Sequence, residues 1–210
     1  MKNLTEYKSR ICDIGRRMYQ REFVAANDGN ISCRVGDNEV LITPTGVSKG
    51  FMTPDMIVRI DLDGNVLEGS MTPSSETAMH VQLYKANSDI KAIVHAHPVY
   101  ATVCAIINKP LDQRMVPEAI VFLGSVPVAK YGTPSTEELP NEIKKYIYDH
   151  KAVLLANHGA LSWGEGLEEA YLTMERVEFM AKLVMITRDL DGVNEISVEN
   201  MQKLMSLKNS

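Results

Sequence analysis

KAIVHAHPVY, residues 91–100, is the stretch on which the reading of this chain turns. It is β-rich and apolar up to two histidines separated by one residue, and in a strand that period of two places both imidazoles on the same face. Pro98 ends the run, because proline cannot donate to a sheet ladder, so His97 falls at a strand end where side chains reach a cleft. Two imidazoles so placed can share one metal ion, although such pairs also occur in sheets that hold none.

Working outward toward the C-terminus, residues 152–162 are apolar enough for a buried strand, and LLANHGAL within it sets His158 at the strand's close. Gly159 follows, a residue that permits a sharp backbone turn beside a ligand. Three neutral imidazole nitrogens suit Zn2+, with Co2+ or Mn2+ also accommodated, and leave a position open for substrate. Mg2+ prefers oxygen ligands. Outward toward the N-terminus, Pro73, Ser74, Ser75 and Glu76 introduce a helix running to Tyr84, with a serine as its cap. Glu76 there is a first-turn acid favoured by the helix dipole, a fourth metal ligand, or a proton-transfer group facing the metal. His80 lies one turn further along the same face and reads as a packing residue. His150, between Asp149 and Lys151, reads as solvated.

The remaining pattern supplies the frame. Residues 4–23 carry Ile11, Ile14 and Met18 at amphipathic helical spacing. ISCRV (31–35), EVLITPTG (39–46) and MIVRIDLDGNVLEG (56–69) read as short strands, with Asp63 and Gly64 at a hairpin turn. Residues 101–107, 136–149 and 166–190 read as helices, and 119–131 alternates strand and turn signals. The class is α/β of the α+β type, a mostly antiparallel central sheet covered by helices, with residues 1–210 as one domain. With 210 residues, 45% of them hydrophobic, and a net charge of -5, the chain can bury a full core and lacks the clustered Lys and Arg that nucleic acid demands. It has no run of roughly 18 apolar residues, so no membrane span is expected. Three widely spaced cysteines suggest reduced thiols and a cytoplasmic protein.

Taken together, GNIS (29–32), TPTG (43–46), PSSE (73–76), VHAHP (94–98) and ANHG (156–159) make the chain resemble the class II aldolase and adducin-head family over nearly its whole length. The resemblance is greatest to the L-fuculose-1-phosphate aldolase branch. It implies a fourfold-symmetric homotetramer with active sites at subunit interfaces. It assigns His95, His97 and His158 to zinc, and Glu76 to an acid/base that also ligates the metal when substrate is absent. Asn30, Thr45, Gly46, Ser74 and Ser75 are assigned to the substrate phosphate, a role that hydroxyls, an amide and backbone N–H groups can fill. Lys49, in GVSKG, either adds charge to that pocket or is a solvated loop lysine. Two departures stand out: MVPEAIVFLG (115–124) contains no tyrosine where the branch has its proton donor, and the tail MQKLMSLKNS has none either. Glu118 and Tyr131 are the substitutes nearest in sequence.

The implied reaction is zinc-dependent cleavage of a ketose 1-phosphate, such as L-fuculose 1-phosphate or a related deoxy or methylthio pentulose 1-phosphate, into dihydroxyacetone phosphate and an aldehyde. A carbon–carbon bond next to a ketone needs an electron sink when it breaks, and a metal ion can serve as one. The alternatives within the resemblance are a ribulose-phosphate 4-epimerase, a methylthioribulose-1-phosphate dehydratase and a non-catalytic adducin-head-like interaction domain. SSE at residues 74–76, where the epimerases resemble SSD, favours the aldolase.

Overall fold

The computed structural model describes residues 3–190 and 192–208. The chain begins with α1, Leu4–Gln20, where the Asn3 side chain accepts the Glu6 N–H and Ile11, Ile14 and Met18 are buried. The helix stops short of residue 23, and Glu22 takes a left-handed φ of 59°. Four strands follow: β1 (Asn30–Gly36), β2 (Glu39–Ile42), β3 (Val58–Asp61) and β4 (Val66–Glu68). Pro44 halts β2 four residues before the end of EVLITPTG. The turn between β3 and β4 is the expected one, with Gly64 at φ 87° and Asp61 Oδ1 accepting the Asp63 and Asn65 N–H groups.

The second half comprises α2 (Thr77–Ala86), β5 (Ala92–Ala96), α3 (Val99–Ile106), β6 (Val128–Ala129), α4 (Glu138–Ile143), β7 (Ala152–Leu155), β8 (Gly159–Gly164), α5 (Leu167–Thr187) and α6 (Val198–Lys208). Among the described residues the strands form one eight-stranded sheet in the order β4-β3-β2-β1-β5-β8-β7-β6. Every neighbouring pair is antiparallel except β6 with β7. Helices cover both faces: α1, α3 and α5 bury Ile11, Cys104, Tyr171 and Met174 against one, and α2 and α4 bury Met79, Leu83, Leu139 and Ile143 against the other. No helix among the described residues is long and apolar enough to cross a membrane, and the three cysteines are buried and outside any disulfide among the described residues.

Four sequence readings are corrected. Residues 152–162 are not one strand but the hairpin β7–β8, because Asn157 turns the chain at φ 57° and Leu155 pairs with Gly159 around a three-residue loop. Residues 136–149 are helical only over α4. Beyond it, bonds such as Tyr146 N–H to the Ile143 carbonyl wind the chain in tighter turns. Residues 119–131 open with a π-helical turn, Ala119–Leu123, before the two residues of β6. The cap position of α2 is held by Glu76, not by a serine. Helix α6 lies in a tail for which no element was expected.

Candidate metal centre and active site

Alternation along the central strands decides which side chains meet. On β1, Ile31 and Cys33 point to the α1/α5 side, which sends Asn30 and Ser32 to the α2 side. On β5, Val94 and Ala96 take the α1/α5 side and Ile93 the other, so His95 faces α2 directly opposite Asn30, its pairing partner. His97 continues the same parity one residue past the end of β5. His158 arrives from the β7–β8 turn, the correction that matters most here, since a turn residue can lean over a strand end as a strand-interior residue cannot.

The three imidazoles form a group whose ring nitrogens lie within 4.8 Å of one another, with centroids 4.7 to 5.0 Å apart. His95 is fully buried, and its Nδ1–H donates to the Ala160 carbonyl at 2.9 Å, which leaves Nε2 to face the group. His97 Nε2 stands 3.0 Å from it, and on the far side of the His97 ring Nδ1 approaches Asp28 Oδ2 at 3.7 Å. Glu76 closes the cluster: Oε2 is 3.2 Å from His95 Nε2 and Oε1 is 3.5 Å from His158 Nε2. Oε1 is buried and receives no hydrogen bond. An anionic oxygen in that state is costly unless a cation meets it, so the donor set fits a divalent metal ion.

The electrostatics agree with that fit. Burial, and then the charge of His95, push His97 and His158 down to about 4, so both imidazoles are neutral at pH 7, the form a metal ion requires. Burial alone would lower His95, but the Glu76 carboxylate beside it and the bond to Ala160 raise it instead. Burial would likewise raise the Glu76 carboxyl. His95 and the hydrogen bond from Asn30 Nδ2 outweigh it and hold Glu76 well below the usual carboxylate range. Glu76 is therefore a carboxylate beside a cation site.

Two glycines make room for this arrangement. A Cβ on Gly159 would lie 2.5 Å from the Ala96 carbonyl oxygen and 2.6 Å from His97 Cδ2, and its φ is not left-handed. Close approach of β8 to the His97 ring, not a sharp turn, is thus what this position requires. Gly29 needs both, with φ 74° and a hypothetical Cβ 2.8 Å from the His95 carbonyl oxygen.

A cleft of about 210 Å³ opens beside the cluster, and Asn30, Thr45, Ser74, Ser75, Glu76, His97 and His158 share its lining. TPTG meets PSSE through two backbone bonds, Thr45 N–H to the Thr72 carbonyl and Ser74 N–H to the Thr43 carbonyl. Those two N–H groups are thereby committed, and the hydroxyls are what Thr45 and Ser74 offer. Gly46, φ 73°, turns the chain just beyond Thr45 and lies outside the lining. Lys49 does line it and is not solvated: it is 1% exposed, donates Nζ hydrogens to the Asn27 and Val47 carbonyls, and is pushed down to about 8 by burial. Glu118 and Tyr131 are both exposed and outside the lining. His150 is far from the group, half-buried, and donates from Nδ1 to the Ser125 carbonyl. His80 is buried among polar side chains and is not a member of the metal group. Asp28, Pro134 and Ser135 also line the cleft, and sequence reasoning missed them because isolated turn residues carry no spacing signal. A larger cavity of about 420 Å³ between the ends of α3 and α5 is lined by Ile107, Val184 and Arg188 and gathers no comparable set.

Known proteins resemble this chain in sequence and in fold. An L-fuculose phosphate aldolase of Methanocaldococcus jannaschii is 35% identical over 179 residues, which is 85% of this chain and 96% of that one. A 3-oxo-tetronate 4-phosphate decarboxylase of Haemophilus influenzae is also 35% identical, over 84% of this chain and 85% of its own. The solved structure of an L-fuculose 1-phosphate aldolase superposes with a TM-score of 0.87 at 32% identity, covering 97% of this chain and 96% of that one. Residues 9–185 match the description "Class II Aldolase and Adducin N-terminal domain", and the chain belongs to that family.

Proposed function

We propose that this chain is a metal-dependent lyase that reversibly cleaves a ketose 1-phosphate into dihydroxyacetone phosphate and an aldehyde. The observation that carries the reading is Glu76, a buried carboxylate with Oε2 3.2 Å from His95 Nε2 and with Oε1, which lacks a hydrogen-bond donor, 3.5 Å from His158 Nε2, at the edge of a polar cleft. His95, His97 and His158 would hold Zn2+, with Co2+ or Mn2+ as alternatives. When bound, that ion supplies Lewis-acid polarisation of the substrate carbonyl. Glu76 handles the proton of the donor carbon: as a carboxylate it removes that proton in the synthetic direction, and as the carboxylic acid so formed it returns it in the cleavage direction once the carbon–carbon bond has broken. The Thr45, Ser74 and Ser75 hydroxyls, the Asn30 amide, the Gly46 turn and the Lys49 charge are the groups we assign to the phosphate. Buried thiols outside any disulfide and the exposed Tyr131 support the further reading of a cytoplasmic homotetramer.

One observation favours a second reading, decarboxylation of a phosphorylated 3-oxo sugar acid. Aldol cleavage requires a group that takes the proton of the hydroxyl on the departing carbon, and no tyrosine lies in residues 115–124, while Glu118 and Tyr131 stand outside the cleft. Loss of carbon dioxide needs no such group and leaves Glu76 the same task at the same carbon. The test is to incubate the metal-loaded protein with ketose 1-phosphates and, separately, with 3-oxo-tetronate 4-phosphate. Dihydroxyacetone phosphate from the first supports the aldolase. Carbon dioxide from the second alone replaces it with the decarboxylase, and an epimer or a dehydrated product in either overturns both.

A further inference from the structure

Beneath Glu76 lies a buried chain of polar side chains of which the proposed chemistry uses only Asn30. Glu76, His80 and Tyr84 recur every four residues on one face of α2, and they meet Asn30 and Ser32, which share one face of β1. Asn30 Nδ2 donates to Glu76 Oε2 at 2.8 Å, Asn30 Oδ1 is 2.5 Å from His80 Nε2, His80 Nδ1 is 2.6 Å from Ser32 Oγ, and Ser32 Oγ is 2.8 Å from Tyr84 OH. His80 and Ser32 are wholly buried, and Asn30 and Tyr84 nearly so.

Donor and acceptor bookkeeping gives this chain a single direction. A carboxylate only accepts, so the amide nitrogen of Asn30 faces Glu76 and its carbonyl oxygen faces His80. His80 must then donate from Nε2. A fully buried imidazole with no carboxylate against it is neutral, so its Nδ1 carries a lone pair and Ser32 donates into it. The single Ser32 proton is thus spent, and Tyr84 donates to Ser32. Every donor points toward Glu76.

We propose that His80 is the positioning residue for Glu76: through its Nε2–H and Asn30 it fixes the carboxylate by Oε2, holding that oxygen beside His95 and leaving the unsatisfied Oε1 toward His158. The chain also polarises the Asn30 N–H toward the carboxylate and so favours the ionised form. Only one Nδ2 hydrogen of Asn30 is used, and the second remains for the cleft that Asn30 lines. This rests on the reading of Glu76 as the acid/base, and the experiment separates the two.

The direct test is nitrogen-15 NMR of the histidine side chains in the metal-free protein, which needs no turnover. His80 should show a protonated Nε2 and a bare Nδ1 at pH 7. The reverse tautomer, or a cation, overturns the proposal. In the zinc-loaded protein, His80→Leu should retain zinc and lower kcat about ten- to a hundredfold, with KM little changed and the acid limb of the pH profile moved upward. His80→Gln, which restores a neutral donor to Asn30, should recover most of the loss. Should His80→Leu fail to fold, the tautomer measurement and the Gln variant still decide. A wild-type pH profile in a folded His80→Leu sinks the proposal while leaving Glu76 in its role. The predicted tautomer together with a fully active Glu76→Gln sinks the role of Glu76 and leaves the chain as architecture.

Discussion

Replacing Gly159 with alanine adds one methyl group at the site glycine with the shortest close approach. The new carbon would lie 2.5 Å from the Ala96 carbonyl oxygen and 2.6 Å from His97 Cδ2, where non-bonded contact is comfortable at roughly 3.5 Å. About an ångström of relief is therefore needed, and both obstructing atoms belong to the end of β5. The backbone there is locked by pairing of Ala96 with Ala160 and by the His95 bond to the Ala160 carbonyl, so much of the displacement falls on the His97 ring. Metal–ligand distances tolerate only about 0.2 Å. We expect zinc affinity to fall about ten- to a hundredfold, alongside an overpacking cost of about 1–3 kcal/mol. At about 3 °C per kcal/mol for a chain of this size, the melting temperature of the metal-free protein should drop by roughly 3–9 °C. Competition against a chromogenic chelator reads the affinity, and thermal melts of the metal-free protein read the stability. An alanine variant that binds zinc within twofold of wild type and melts at the same temperature would falsify the close-approach argument.

Other expectations follow from the same cluster. Glu76→Gln should keep most of its metal and lose turnover by about a hundredfold or more, checked by elemental analysis beside the product assay; full activity would show that the proton travels by another group. His95→Ala and His158→Ala should each lose metal and activity, whereas His150→Ala should alter neither, and equal losses in all three would break the ligand assignment. His80, pushed down to about 3 by burial, cannot take up the proton that the same group binds near 6.5 once unfolded. The unfolded state then holds more protons, so stability falls as pH drops from 6.5 toward 3, by about 2 kcal/mol at pH 5 from 1.5 pH units at about 1.4 kcal/mol each. His97 and His158, also pushed down, lose stability over the same window, so urea unfolding at pH 7 and pH 5 should show a loss smaller by about that amount in His80→Gln than in the wild type; identical pH dependence in the two contradicts it.

The metal group was legible because its signal is local. HAH in a β-rich run announces same-face imidazoles through the period of two, and Pro98 marks the strand end. His158 was found for a partly mistaken reason: the mostly apolar run of residues 152–162 looks like one strand, and nothing in ANHG except the tolerance of Asn157 for a left-handed φ betrays a hairpin. For Lys49 the choice between pocket charge and solvated loop lysine stayed open, and Asp28 could not be read, since their burial and placement depend on how α1 and the segment joining it to β1 fold over the cleft. His80 looked like ordinary helix packing because its partners, Asn30 and Ser32, lie some fifty residues away on another element. The overall layering was readable from alternation and helical spacing, but not the strand order, which brings β1, β5 and β8 together from distant parts of the chain.

That order has a consequence for the unfolding of the molecule. His95 and His158 are 63 residues apart in sequence, and Glu76 reaches the same point from still another segment. An ion held among them acts as a reversible cross-link across the middle of the sheet, closing a loop long enough that its removal returns substantial freedom to the unfolded chain. The loss of metal should therefore be felt far from the site, as faster unfolding and earlier proteolysis of β6, α4 and β7, the segment that the cross-link encloses.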